Sequence, residues 1–191
     1  MDINTYRIEN ALKTQASEIA WLIMEAMDYD CCRNFAGPHH TLDDFHTMLT
    51  ELVEMEHSQY SYRNTLCAMV GDQLAGVLVS YDGKDLLTLR EAFIAKAKEH
   101  LGQDFSGMDE ETQAGEYYLD SLCVKKEYRK HGIATALLRE AIKRHSDQPV
   151  GLLVDVTHPW AERLYTSIGF RFVNETTWGG HEMRHLQFMS L

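Results

Sequence analysis

Cysteine is scarce in this 191-residue sequence, and its four copies are poorly placed for a disulfide framework. Cys31 and Cys32 are adjacent, while Cys67 and Cys123 each sit in an apolar, strand-like run. A reducing, cytoplasmic setting is therefore expected. No stretch approaches the ~18 apolar residues of a membrane span, so no membrane partner is expected. The first ten residues, MDINTYRIEN, lack the basic-then-apolar order of a signal peptide. Repeats and low-complexity tracts are absent. Positive charge is also sparse: 18 Lys and Arg stand against 29 Asp and Glu, a formal −11. That balance argues against a general nucleic-acid binder.

What is present points to one domain with a sizeable core. The charge is unevenly spread. Lys125–Arg144 holds seven basic residues against Glu127 and Glu140, a net +5 that leaves −16 on the rest. Such an island serves either as a solvated helix face or as an anion site. Its place beside a glycine loop favours the anion.

Periodicity predicts a short strand around Thr5–Ile8 and an amphipathic helix over Gln15–Met27. Asn34–Thr41, with Gly37 and Pro38, reads as a loop. Thr41 is placed to cap a second helix through Met55, with Asp44 at its third position. Leu66–Val70 and Leu74–Tyr81 read as strands joined at Gly71-Asp72. Leu86, Leu89, Phe93, Ile94, Ala97 and Leu101 recur with helical period, and Gly102 is placed to end that helix. Gln103–Gly115 is polar and acidic and reads as a mobile connection. Then come a strand over Glu116–Val124, a helix over Gly132–His145, a strand over Val150–Val156 and a helix over Pro159–Ile168. Phe170–Asn174 and Glu182–Met189 close the chain as strands. The expected class is α/β (α+β): a mixed, mostly antiparallel central sheet flanked by helices.

The text Tyr117-Tyr-Leu-Asp-Ser-Leu-Cys-Val124 leads through Lys-Lys-Glu-Tyr into Arg129-Lys-His-Gly-Ile-Ala134. The following helix starts near Gly132, directly after the basic loop. Its first backbone N–H groups have no internal partner, and the helix dipole adds positive charge there. An anion is the natural occupant. Gly132 puts no Cβ in the way of a phosphate. Neither G-x-x-x-x-G-K-[ST] nor G-x-G-x-x-G occurs, which excludes the two familiar nucleotide loops.

The loop is followed by His158-Pro-Trp-Ala161-Glu-Arg-Leu164-Tyr165-Thr-Ser-Ile-Gly169-Phe170. Arg129-x-x-Gly132-x-Ala134 and this second segment together resemble the GNAT superfamily of acyl-CoA-dependent N-acyltransferases. The motifs cover Tyr117–Val173, and the order of the earlier elements fits as well. The resemblance implies a single domain over residues 1–191, with a helical insertion at about 85–115. It implies acetyl-CoA as co-substrate, with pyrophosphate on the backbone of Arg129, Lys130, His131, Gly132, Ile133, Ala134 and Thr135. Its pantetheine arm would pair with Leu122, Cys123 and Val124 as an added strand. The expected reaction is acetyl transfer to a primary amine by direct attack on the thioester. A non-catalytic acyl-CoA-binding module on the same fold is the alternative.

Amine attack needs a base, and the departing thiolate gains from an acid. Tyr165 matches the family's tyrosine and is the expected acid. It also shares the helix's apolar face with Ala161, Leu164 and Ile168, the pattern of a core tyrosine. Asp120 and Glu116 are the candidate bases, with water as a third route. Strand alternation puts Asp120 on one face with Tyr118, Leu122 and Val124, where a charge is costly without a partner. Glu116 is expected at an exposed strand start. His158 stands where the family commonly has Asn, and it is a poor helix cap. Cys123 reads as a packed side chain. The acidic remainder of the chain favours a cationic acceptor, small molecule or protein amine. A homodimer is allowed. The 85–115 insertion is expected to border the acceptor pocket.

One motif competes. His181-Glu182-Met183-Arg184-His185 spells the zinc-hydrolase pattern H-E-x-x-H, which requires a helix. After Gly179-Gly180 this segment reads as a strand. Four residues of strand span ~13 Å, too far for two ligands of one ion, so no metal is expected.

Overall fold

A computed structural model describes residues 5–189 of the chain. Seven strands form one sheet: β1 (Arg7–Asn10), β2 (Thr65–Val70), β3 (Gln73–Asp82), β4 (Tyr117–Val124), β5 (Val150–Asp155), β6 (Arg171–Trp178) and β7 (His181–Phe188). Their spatial order is β1-β2-β3-β4-β5-β7-β6. Every neighbouring pair is antiparallel except β4 and β5. The expected mixed, mostly antiparallel sheet is therefore found.

Six α-helices flank it: α1 (Ala16–Met27), α2 (Tyr29–Ala36), α3 (Leu42–Glu54), α4 (Leu86–Leu101), α5 (Ile133–Arg144) and α6 (Pro159–Ile168). The cap of α3 is as expected. Asp44 N–H donates to Thr41 Oγ1 at 3.1 Å, and Thr41 N–H donates to Asp44 Oδ2 at 2.7 Å. Helix α2 corrects the expected loop at Asn34–Thr41, whose first residues are helical. It is only eight residues long, and Asp28 starts it by accepting from Asp30 N–H at 2.7 Å. So short a helix shows too few turns for its period to stand out.

Two cores sit on opposite faces of the sheet. Ile19, Ile23, Phe45, Leu49, Leu52 and Phe93 pack the α1–α4 side. Ile133, Leu137, Leu138, Leu152, Phe170 and Leu186 pack the α5–α6 side. Each side buries several whole aliphatic side chains, worth about 1.5–3 kcal/mol apiece in transfer from water.

The segment after α4 corrects the expectation of a mobile connection. Glu111 and Thr112 are buried, and Phe105 and Met108 pack against the α1–α4 core. Gly83 N–H donates to Glu116 C=O at 2.9 Å. Two of its polar residues, Glu111 and Thr112, turn inward onto buried partners, while Asp104, Ser106, Asp109, Glu110 and Gln113 are exposed. We call residues 103–115 the strap.

Candidate active site

The sheet opens at its centre. β4 and β5 pair only at Tyr117 with Val150 and at Tyr118 with Gly151. Beyond that point β4 keeps its pairing to β3 through Val124, with no β5 partner on the other side. Residues 119–124 thus present one backbone edge into a fork. Unpaired strand N–H and C=O groups are a template for another extended chain. Leu122, Cys123 and Val124 all lie on this edge.

At the apex of the fork β4 bulges. Val79 pairs with Ser121 and Ser80 with Leu119, so Asp120 is the extra residue. The bulge corrects the expected alternation. Leu119, Leu122 and Val124 pack on the α5–α6 side, whereas Cys123 packs on the α1–α4 side and Tyr118 joins Tyr81 and Leu86 of α4. Asp120 therefore does not share a face with Leu122 and Val124, because an inserted residue resets a period of two. Its carboxylate accepts from Tyr81 Oη at 2.9 Å, Ser121 Oγ at 2.7 Å and Gln59 Nε2 at 3.5 Å. Burial pushes this carboxyl above its ordinary value, against those hydrogen bonds and the nearby Arg90 charge.

Glu116 also differs from expectation: it is 3% exposed, so it does not start an exposed strand. Thr112 Oγ1 donates to its Oε1 at 2.7 Å. Gln187 Nε2 donates to Oε2 at 2.7 Å, and His185 Nε2 lies 2.8 Å from the same oxygen. Burial raises this carboxyl, but the three partners outweigh it and hold the group below its usual range. A carboxylate so fully engaged fastens the strap to β7. Gly151 makes the room, since a Cβ there would lie 1.9 Å from Glu116 Oε2.

Tyr165 lies on α6, packed on the α5–α6 side and edge-on to Phe170 at 5.9 Å between ring centroids. Among the described residues its hydroxyl makes no hydrogen bond. Burial pushes it up to about 12, so it stays protonated near neutral pH. The fold thus sets Asp120 and Tyr165 on opposite faces of β4, with no direct contact between them.

The phosphate loop has the expected backbone. Lys130 and Gly132 both take positive φ, 66° and 80°. Gly132 is the N-cap of α5, and the first bond of that helix runs from Ala136 N–H to Gly132 C=O at 3.0 Å. The amides of Ile133, Ala134 and Thr135 lie ahead of that bonding and no acid stands in the first turn. A Cβ on Gly132 would meet only Tyr6 Oη, at 3.6 Å, so the approach is open. Arg129 is turned back: its Nε donates to Val124 C=O at 2.9 Å and its guanidinium pairs with Glu25. Lys125 is paired with Glu18. Lys126 and Lys130 are exposed, and His131 is half-buried.

His158 caps α6 without a side-chain cap bond, its Nδ1 lying 3.3 Å from Thr157 Oγ1. The segment His181–His185 is in strand β7. His181 faces Asp155, and His185 is held by Glu116 and Asn174. Among the described residues no group of three His, Cys, Asp or Glu is placed to hold a metal ion. Cys123 is packed beside Glu25 and Arg129, its thiol pushed up to about 12 by burial.

Four residues around Asp120 escape a reading by period: Gln59, Tyr81, Arg90 and Glu111. One signal was legible. Arg90 falls on the apolar stripe of α4 with Leu86, Phe93 and Ala97, and a cation there needs a buried partner. Its guanidinium is paired with Glu111.

The comparisons agree with this geometry. Residues 88–172 match the sequence model of the family described as Acetyltransferase (GNAT) domain. No curated protein matches the chain. Among solved structures, an N-acetyltransferase from Staphylococcus aureus Mu50 superposes with a TM-score of 0.82 at 21% identity, covering 95% of this chain and 100% of that one. A structure described only as an acetyltransferase gives 0.81 at 28% identity, covering 97% and 100%. The NatC complex bound to Gag peptide and CoA gives 0.52 at 17% identity, covering 97% and 98%. Residues 88–172 thus match a GNAT acetyltransferase domain, and the chain has the GNAT fold. That family uses acetyl-CoA and acts on amine acceptors, protein amines among them. No helix of the described residues is long and apolar enough to cross a membrane.

Proposed function

We propose that the protein is an N-acetyltransferase working by direct attack of a primary amine on acetyl-CoA. The observation that carries this reading is the fork between β4 and β5 with a partnered, bulged carboxylate at its apex. Acetyl-CoA supplies an activated acyl thioester. The open edge at Leu122, Cys123 and Val124 fits its amide-bearing pantetheine arm. The amides from Arg129 to Thr135 fit its pyrophosphate, with Lys126 and Lys130 able to add charge from solvent. The paired state of Arg129 and Lys125 assigns them to holding the loop against α1 rather than to the phosphates.

Asp120 takes the proton of the incoming amine, directly or through one water. Its raised proton affinity suits that task better than the depressed one of Glu116, so Glu116 is read as structural. Tyr165, protonated on the other face, gives a proton to the departing thiolate. The acceptor is a cationic amine entering on the side of α4 and the strap, whose Arg90 and Glu111 reach the partners of Asp120.

The test is CoA release across small-molecule and peptide amines. With the best acceptor, Asp120→Asn and Tyr165→Phe should each lower kcat by about 10²-fold, the usual scale for general acid or base catalysis. CoA affinity should change little. Wild-type rates in Asp120→Asn would remove it as the base, and in Tyr165→Phe would remove that residue as the acid. Tight acetyl-CoA binding without turnover over the whole panel would favour a binding module.

A further inference from the structure

The partners of Asp120 form a closed set whose hydrogens can be counted. Tyr81 Oη lies 2.9 Å from Asp120 Oδ2 and 2.9 Å from Glu111 Oε1. Gln59 Nε2 lies 3.5 Å and 3.3 Å from the same two oxygens. An amide NH2 has two hydrogens and serves both carboxyl groups. A phenol has one hydrogen and serves a single oxygen. With both carboxyl groups ionised, one of the two 2.9 Å contacts would set oxygen lone pairs face to face. A second hydrogen removes that conflict, and only a protonated carboxyl group can supply it.

The surroundings choose which carboxyl group that is. Glu111 Oε2 is paired with the Arg90 guanidinium, itself 3% exposed. Arg90 also donates to the Asp109 carbonyl at 2.9 Å and the Met108 carbonyl at 3.4 Å, which locks it toward the strap. Glu111 thus has a cation in contact, whereas Asp120 has only neutral donors: Ser121, Tyr81 and Gln59. The remaining titratable groups facing it are the phenols of Tyr60 and Tyr118, with the Arg90 charge one layer away.

We propose that Asp120, Tyr81 and Glu111 hold one carboxylic proton between them, resident on Asp120, and that Glu111 and Tyr81 are positioning residues that set how readily Asp120 gives it up. The direction of the Asp120 shift agrees with this. When that proton leaves to solvent, Tyr81 donates to the resulting Asp120 carboxylate, which can then accept one from an ammonium substrate. The catalytic consequence rests on Asp120 being the base. The stored proton does not.

Infrared spectroscopy of the full chain in 2H2O tests the proton directly. At neutral pH the wild type should show the carbonyl stretch of a buried, protonated carboxyl group, lost in Asp120→Asn. Absence of that band, or its survival in Asp120→Asn, overturns the proposal. The midpoint at which the band titrates should fall in each of two near-isosteric variants. Glu111→Gln leaves Arg90 acting on Asp120 without a carboxylate between them, so the midpoint falls. Tyr81→Phe removes the one-hydrogen hydroxyl whose two oxygen contacts call for the stored proton, so it falls as well. About tenfold in proton affinity, one pH unit, is expected for each. A rise in either variant, or no shift, overturns that residue's tuning role, and folding of either variant suffices for its own arm. An active Asp120→Asn enzyme with the wild-type band present would end the base assignment and leave the stored proton standing. An inactive one with no wild-type band would do the reverse.

Discussion

Replacing Gly151 by alanine would put a methyl carbon 1.9 Å from Glu116 Oε2 and 2.5 Å from its Cδ. An alanine has no rotamer that relieves this, so the carboxylate must leave its place. Oε2 is the oxygen engaged by both Gln187 and His185. Hydrogen bonds to a charged group contribute about 1.5–3 kcal/mol each, so losing two costs about 3–6 kcal/mol. In a domain of this size each kcal/mol moves Tm by about 2–4 °C. The expected drop is therefore about 6–24 °C, read by circular dichroism or calorimetry. A double variant separates this cause from a general intolerance at β5. With Glu116→Ala already present, Gly151→Ala should add almost nothing, because both changes remove the same contacts. A Tm within about 2 °C of wild type for Gly151→Ala, or full additivity in the double variant, would refute the reasoning.

Three further outcomes are expected. Gly132→Ala keeps an open approach but forces a Cβ into the left-handed region, so it should cost about 1–2 kcal/mol and weaken CoA binding in calorimetry. Unchanged affinity would detach the loop from the pyrophosphate. For Asp120 the folded state favours the protonated form, so its contribution to stability is intact below the unfolded value near 3.9 and is lost as pH rises through the folded value. Asp120→Asn should therefore be more stable than wild type at pH 8, with the gap closing toward pH 4. An equal gap at both ends would sink that account. Burial pushes Cys32, Cys67 and Cys123 up to about 12, while Cys31 is only half-buried. Thiol labelling of the native protein should be confined to Cys31, and fast labelling of Cys123 would contradict its packing.

Features written in short, contiguous stretches were legible without the fold. The periods of α1, α3, α4 and α5, the Thr41–Asp44 cap and the Gly132 helix start each depend on neighbours a few residues away. The strand state of His181–His185 was legible too, because Gly179-Gly180 marks a turn whatever lies beyond. Arg129–Ala134 and Ala161–Phe170 carried the resemblance to the superfamily in the same way.

Tertiary structure decided the rest, because its causes lie far along the chain. Asp120 changes face through a bulge defined by β3, some forty residues earlier. Glu116 is buried because β7 brings Gln187 and His185 to it across about seventy residues. The strap looks solvated in sequence and is fixed by an Arg90–Glu111 pair that neither segment reveals alone. A carboxylate's chemistry depends on the donors and charges within a few ångströms. Local periodicity determined where these carboxylates stand in the chain, and only the assembled sheet decided which of them is held as an anion and which is free to carry a proton.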